Sequence, residues 1–135
     1  MKKLILVLCL VMLGALPALA RTFERNEGAW YRLHLGTGVG DKAVSTELIR
    51  KFVDKEITPR FPAGLTATDG RGQWKSEEYG VIRERTIIID IYCPDTEESA
   101  EKVEAIAKAY VEKFKAAKAS LYVVRVQGIS AKIYY

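Results

Sequence analysis

The sequence predicts an α+β protein of the ferredoxin-like class, a two-layer sandwich with the element order βαββαβ. Four segments have the alternation or β-branched composition of strands, and two have the apolar spacing of helices. They follow one another as strand, helix, strand, strand, helix, strand. We therefore expect an antiparallel-mixed sheet in the spatial order 4-1-3-2, with the first and third strands as parallel neighbours and both helices on one face.

The N-terminal segment 1–20 has the pattern of a signal peptide. Lys2 and Lys3 precede an apolar run over residues 4–16, and Ala18 and Ala20 mark a cleavage site after residue 20. The run is shorter than the roughly 20 apolar residues of a spanning helix and is followed by Pro17. The sequence thus predicts export to the periplasm or the exterior of a bacterial cell, without membrane association after cleavage. Retention as an uncleaved anchor is the alternative.

Removing this leader leaves 115 residues, with 19 basic and 17 acidic side chains and a net charge of +2. That length suits one core, so we expect a single domain over 29–135 after a flexible polar segment, 21–28. The mild, evenly spread charge argues against nucleic acid as a partner. Cys93 is the one cysteine outside the leader. We expect it to be a buried small hydrophobe, the alternative being a reactive thiol or an intermolecular bridge.

The first strand and helix are predicted from their apolar patterns. Residues 29–35 alternate with period two, which is typical of a half-buried strand. A helix begins after Ser45 as N-cap and ends before Pro59, because the residue preceding a proline disfavours helical geometry. Arg60 is expected to cap carbonyl groups at the end of this helix, and Phe61 and Leu65 to anchor the following turn to the core.

A hairpin is predicted for the second and third strands, over residues 65–74 and 81–93. If Leu65 shares the core face with Ile87, Asp69 lies opposite Arg85 as a favourable cross-strand pair. Asp95 and Glu98 have the spacing of a capping box for the second helix. The fourth strand covers residues 121–126 and continues past Gly128 as a bulged extension.

Several blocks resemble a family of small exported bacterial proteins known as domain of unknown function 3574. The resemblance covers nearly all of the chain after the leader and implies export and a compact α+β domain, but no activity. The first strand departs from the expected pattern. The blocks that carry the resemblance are Thr58-Pro59-Arg60-Phe61-Pro62, Gly64-Leu65-Thr66, Gly72-Gln73-Trp74, Ile82-Arg83-Glu84, Phe114 and Val124-Arg125-Val126.

A polar cluster is predicted on the sheet face away from the helices. Arg32 and His34 from the first strand, Asp90 from the third and Arg125 from the fourth would meet there, with His34 and Asp90 at similar heights. A carboxylate beside an imidazole raises its pKa, and two arginines can hold a small anionic ligand. The alternative is a solvated face, or one that forms a homodimer interface.

A second candidate site lies at the hairpin end, where Trp74 and Arg83 are predicted to face each other. An aromatic ring beside an arginine can stack on a planar ligand or anchor a protein interface. The alternative is a tryptophan that packs across the hairpin and covers the core. The glycine-rich turn after the first strand lacks the spacing of a phosphate loop, and one histidine with one cysteine predicts no metal site.

Two functional hypotheses follow. The leading one is a non-catalytic module that binds a ligand or a protein, without a cofactor, with a homodimer through the open sheet face as one form of it. The competing one is a cofactor-independent enzyme on a dimeric α+β barrel. In that enzyme His34 is the base, Asp90 orients it, and Arg32 and Arg125 hold an anionic substrate.

Overall fold

A computed structural model describes residues 23–38 and 40–134, and the side chains of 27–38 and 40–128. The predicted signal peptide, residues 1–20, lies outside these residues. Within them, no helix has both the length and the apolar character needed to cross a bilayer.

The element order agrees with the prediction, and two short 3-10 turns, Gly40–Lys42 and Lys115–Ala117, complete the secondary structure of the described residues. Helix α1 continues directly into one turn of π-helix, Val53–Ile57. The strands and helices are β1 (Phe23–Gly36), α1 (Thr46–Phe52), β2 (Thr66–Ser76), β3 (Gly80–Cys93), α2 (Glu97–Lys113) and β4 (Leu121–Tyr134).

The sheet has the predicted spatial order, β2-β3-β1-β4. Every neighbouring pair is antiparallel, so the prediction that β1 and β3 are parallel neighbours is wrong. The reason is topological. The crossover through α1 makes β1 and β2 run the same way, and β3 lies between them after a hairpin that reverses the chain.

Strand β1 begins at Phe23 rather than at residue 29. Residues 23–28, predicted as part of a flexible segment (21–28), pair instead with the far end of β4, from Phe23 with Tyr134 to Gly28 with Ile129. The predicted extension of β4 past Gly128 is confirmed. The register shifts between Gly28 and Trp30, and Gly128 has a φ of +65°, as in a bulge with a left-handed glycine.

The core lies between the sheet and the two helices. Alternate residues of β1 and β3 point toward the helices and are fully buried, and both helices add an apolar stripe. The largest fully buried side chains are Leu33, Leu35, Ile49, Phe52, Ile57, Ile89, Ile91, Ile106 and Tyr110. Cys93 is also buried, as predicted, and burial raises the pKa of its thiol. A neutral buried thiol is a poor nucleophile.

Helix α1 begins where the sequence predicts, and the π turn that continues it ends at Ile57, before Pro59 as predicted. The Ser45 hydroxyl accepts a hydrogen bond from the Leu48 amide, and the predicted capping role of Arg60 is confirmed by its Nη1, which donates to the Glu56 carbonyl at 2.6 Å. The π turn places Phe52 and Ile57, five residues apart, in the core together. An ordinary α-helix would turn residues at that spacing to different sides.

The hairpin register differs by two residues from the prediction, because Asp69 lies opposite Ile87 and Arg85 lies opposite Arg71. The turn fixes this register, since the Ser76 hydroxyl accepts the amides of Glu78 and Tyr79 and Ser76 pairs with Gly80. Asp69 and Arg85 still form an ion pair at 2.8 Å, but diagonally.

The predicted N-cap of α2 is also displaced by one residue. Thr96, not Asp95, caps the helix, and its hydroxyl accepts the Ser99 amide at 3.2 Å. The Asp95 carboxylate instead accepts a hydrogen bond from Arg125. The Asp95 carboxylate, which the predicted capping box requires at the N-cap, is thus engaged in an ion pair with β4.

A candidate site on the open face of the sheet

The open face is the sheet surface opposite the helices. Because side chains alternate along a strand, every second residue of each strand lies on this face, and the register shows which ones they are. It is more aromatic and apolar than the sequence predicts. Its members include Trp30, Arg32, His34, Trp74, Ile82, Glu84, Thr86, Ile88, Asp90, Tyr92, Tyr122, Val124 and Val126.

Arg32 and Asp90 form a bidentate pair at the centre of the open face. They lie directly opposite each other in the β1–β3 pairing, and Arg32 Nε and Nη2 donate to Asp90 Oδ1 and Oδ2 at 2.7 and 2.9 Å. The indole of Trp30 donates to Asp90 Oδ1 at 3.0 Å, and its ring lies 4.6 Å from the Arg32 guanidinium. The hydrogen bond from Arg32 lowers the pKa of the Asp90 carboxyl. Both charges are therefore satisfied within the protein.

His34 lies on the open face as predicted, but it is not level with Asp90. Its register partner on β3 is Ile88, and its ring packs at 5.5 Å from the ring of Tyr122 on β4. The predicted heights assumed parallel strands, and the antiparallel pairing places Arg32 opposite Asp90 instead. The carboxylate that would orient the imidazole is hydrogen-bonded to Arg32 and Trp30.

Arg125 lies on the helix side of the sheet, so its predicted place on the open face is wrong. It pairs with Tyr31, whose side chain is in the core, and its guanidinium lies 5.5 Å from the Tyr31 ring and binds Asp95. The register of β4 turns Tyr122, Val124 and Val126 to the open face instead. The structure thus brings Arg32, His34 and Asp90 to one face and leaves Arg125 out.

Trp74 and Arg83 occupy opposite faces of the hairpin, contrary to the prediction. Trp74 pairs with Ile82 and Arg83 with Gln73, and adjacent residues of a strand point to opposite sides. Trp74 is 48% exposed, so it does not cover the core. It faces the same side of the sheet as His34.

A groove of about 800 Å³ crosses the open face at the hairpin end, and we call it the aromatic groove. Strands β1 to β4 all contribute to it, together with the hairpin turn and the residues after β1. Its aromatic residues are His34, Trp74, Tyr79 and Tyr122, its charged residues are Arg71, Glu78, Glu84 and Lys118, and Gln73, Ile82, Thr86, Ile88, three glycines and two serines complete it.

Glu84 is the half-buried carboxylate of this groove, and it is not among the site residues predicted from the sequence. Its Oε2 accepts the Gly38 amide at 2.9 Å, and Gly72 is its register partner on β2. A Cβ on Gly36 would lie 3.1 Å from both carboxylate oxygens. The sequence does indicate that Glu84 lies on the open face, because Glu84 shares the alternation phase of Asp90. The role of the glycines beside it depends on the register.

A shallower groove of about 900 Å³ follows the hairpin and is lined by Asp69, Arg71, Arg83, Arg85 and neighbouring residues. Among the described residues, no three His, Cys, Asp or Glu side chains form a group that could hold a metal ion.

Solved structures share this fold at low sequence identity. A phage SAM lyase in complex with S-methyl-5'-thioadenosine is 21% identical, with a TM-score of 0.59 over 82% of this chain and 92% of that chain. A phage SAM lyase in the apo state is 24% identical, with a TM-score of 0.56 over 81% and 90%. CutA from Synechococcus elongatus, complexed with Bis-Tris, is 8% identical, with a TM-score of 0.52 over 81% and 88%. Each is a likeness of fold.

No curated protein matches the sequence. A family model described as "Protein of unknown function (DUF3574)" matches residues 30–129, which include both helices, all of β2 and β3, half of β1 and most of β4. The resemblance noted in the sequence is thereby confirmed, and the chain belongs to the DUF3574 family.

Proposed function

We propose that this protein is a non-catalytic binding module whose small-molecule ligand occupies the aromatic groove. The observation that carries the proposal is the groove itself, a concavity of about 800 Å³ with four aromatic side chains and one half-buried carboxylate. Ligand sites in proteins are typically concave, mostly apolar and supplied with few polar groups, at roughly 300–1,000 Å³. The central Arg32–Asp90 pair is a weaker candidate, because its hydrogen bonds already satisfy both partners.

The proposal is tested by screening metabolites against the folded protein by thermal shift and ligand-observed NMR. S-Methyl-5'-thioadenosine is a suitable first probe, because the phage SAM lyase of similar fold is complexed with it. A groove ligand should lose at least about tenfold in affinity, or about 1.4 kcal/mol, in Trp74→Ala. Val81→Ala is the matched control, since Val81 is on the same hairpin and 51% exposed but does not line the groove. Equal losses in both variants would reject the groove as the site.

A homodimer through the open face is the interaction that we propose beside ligand binding. Tyr122 and Val126 of edge strand β4 are 63% and 38% exposed and share this face with Trp30 and Val124. Exposed apolar patches of this kind are typical of interfaces. Native mass spectrometry should show a dimer that Val126→Glu dissociates. Leu48→Glu, on the exposed side of α1, is the control, and a monomer at every concentration would contradict the dimer.

The enzymatic alternative is a cofactor-independent reaction on the open face. Its support is the similarity in fold to a phage SAM lyase, an enzyme by its name. Within this chain, Asp90 is bound to Arg32 and Arg125 is on the other face, so the His34–Asp90 mechanism lacks its orienting group and one arginine. Loss of turnover in His34→Ala, in a screen that detects an activity, would support a catalytic role of His34. Unchanged turnover in that variant would reject this mechanism.

The arginines of the hairpin form a better candidate site for a small anionic ligand than Arg32 and Arg125 do. Arg71 and Arg85 are directly opposite each other, and Arg83 lies on the same side. Asp69 neutralises Arg85, but Arg71 and Arg83 have no ion-pair partner among the described residues. Like charges opposite each other favour an anion between them. Sulfate titration followed by NMR should shift these arginines in the native protein and not in Arg83→Ala.

Export to the periplasm or the exterior of the cell is also proposed, from the leader at residues 1–20. Cell fractionation of a tagged protein should place it outside the cytoplasm, with a mass lacking residues 1–20. A full-length mass in the membrane fraction would indicate a retained anchor instead.

A further inference from the structure

We infer that the ligand of the aromatic groove carries a weakly hydrated organic cation, which binds at Glu84. This inference deepens the proposed function and rests on it. It depends on three features of the described residues: the ion pairing of the hairpin carboxylates, the space around Glu84, and the aromatic side chains that share its groove.

Strands β2 and β3 carry three carboxylates, and two of them are paired with arginine. Asp69 binds Arg85 at 2.8 Å, and Asp90 binds Arg32 at 2.7 Å. Glu84 forms no salt bridge with any described residue, and its one hydrogen bond comes from the Gly38 amide to Oε2. A half-buried carboxylate usually has a cationic partner, because its desolvation is otherwise uncompensated. The missing partner is the position that a ligand cation would fill.

The strands beside Glu84 keep the space around it clear. Gly72 is its register partner on β2, and Gly36 is adjacent on β1. A Cβ at Gly72 would lie 3.3 Å from Glu84 Cγ, and one at Gly36 would lie 3.1 Å from Oε1 and Oε2. Side chains at these positions would crowd the carboxylate, so the two glycines leave it accessible from the groove.

The aromatic composition of the groove selects the type of cation. Trp74, Tyr79 and Tyr122 line it with Glu84, and they are 48%, 64% and 63% exposed. Aromatic faces attract methylated cations, whose weak hydration makes them easier to transfer from water than a metal ion or a primary ammonium group. A carboxylate among aromatic side chains is the arrangement that recognises such cations.

The other charged residues of the groove do not offer an equivalent position. Arg71 precedes Gly72 in β2, so its side chain points to the face opposite Glu84. Lys118 is exposed and forms no salt bridge with Glu84 in the described residues, so it can face an acidic group at the far end of the same ligand. Glu78 lies in the exposed hairpin turn. Its neighbour Glu77 is also exposed but does not line the groove, so Glu77→Gln is the matched control for Glu84→Gln, with the same change in the same hairpin.

The test uses three probes of one shape and three charges: choline, its neutral isostere 3,3-dimethylbutan-1-ol, and the anion 3,3-dimethylbutanoate. Binding to the folded chain is followed by the NMR shifts of the Gly38 amide and the Trp74 indole. Choline should shift both signals and bind at least about tenfold more tightly than the other two probes. Glu84→Gln should weaken choline binding at least about tenfold, whereas Glu77→Gln should change it less than about threefold. Glutamine keeps an acceptor for Gly38, and an unchanged amide spectrum checks the fold.

Two results would overturn the inference. If the neutral or anionic probe binds as well as choline and Glu84→Gln has no effect, the groove binds small molecules without charge selection, and the proposed function stands alone. If no probe moves the groove signals, the cationic specificity fails. The metabolite screen with Trp74→Ala then decides separately whether the groove binds any ligand.

Discussion

The Tyr110 hydroxyl on α2 donates a buried hydrogen bond of 2.9 Å to the Gly36 carbonyl at the end of β1. The ring of Tyr110 is fully buried and packs edge-on against Phe52 and Phe114 at 5.1 and 4.9 Å. One side chain thus joins the helical layer to the strand end beside the aromatic groove.

Tyr110→Phe should destabilise the protein by about 1 to 2 kcal/mol, because the Gly36 carbonyl loses its partner while the ring packing remains. Urea denaturation at neutral pH measures the change. Tyr122→Phe is the control, since Tyr122 is 63% exposed, and it should have little effect. Equal changes in the two variants would contradict the structural role of the Tyr110 hydroxyl.

Tyr110 should also make the stability of the protein depend on pH in the alkaline range. Burial raises the pKa of Tyr110 above its ordinary value of 10.0. A group whose pKa is raised on folding contributes stability that is complete below its unfolded pKa and declines as the pH rises above it. The native protein should therefore lose stability above about pH 10 more steeply than Tyr110→Phe. Parallel curves for the two proteins would contradict this expectation.

The Arg32–Asp90 pair should make the stability of the protein depend on pH in the acidic range. The hydrogen bond from Arg32 lowers the pKa of Asp90 below its ordinary value of 3.8. Its contribution to stability is present above that pH and is lost as the pH falls through the lower folded pKa. The stability difference between the native protein and Asp90→Asn, measured by urea denaturation, should be largest near neutral pH and shrink below about pH 4. A constant difference would show that the ionised carboxylate contributes nothing.

Gly38→Ala should be among the most damaging single substitutions. The φ of Gly38 is +79°, and a Cβ there would lie 2.0 Å from the Ala117 carbonyl oxygen. Gly40→Ala is the control, because Gly40 has a similar φ of +69° but a Cβ there would meet nothing within 4 Å beyond its chain neighbours. We expect urea denaturation to give a loss of about 1 kcal/mol for the control, from backbone strain alone, and at least about 2 kcal/mol more for Gly38→Ala. Similar losses in the two variants would show that the loop relieves the clash.

Thr96→Ala should cost about 1 kcal/mol of stability, the usual value for the loss of an N-cap. Asp95→Asn, at the cap position predicted from the sequence, should leave the α2 N-terminus intact and weaken the contact with Arg125 instead. Hydrogen exchange at the Ser99 amide separates the two: it should rise in the threonine variant only. Faster exchange in Asp95→Asn as well would place Asp95 in the cap.

Alternation within a single strand was enough to assign some side chains of the open face. Arg32 and His34 share a phase in β1, and they do lie on one face with Asp90. The assignments failed where two strands had to be related. Arg125 and the Trp74–Arg83 pair were misplaced because a shift of one residue in register or phase moves a side chain to the other face.

The element order, the start of α1 and the burial of Cys93 could be predicted from the amino-acid sequence, because they depend on local patterns and short-range capping. The spatial order of the strands followed from the element order. Only the folded chain shows that Arg32 binds Asp90. It alone shows, too, that Glu84 has no ion-pair partner among the described residues. Both depend on which residues the antiparallel register sets side by side. Residues far apart in the chain become neighbours only when the strands pair.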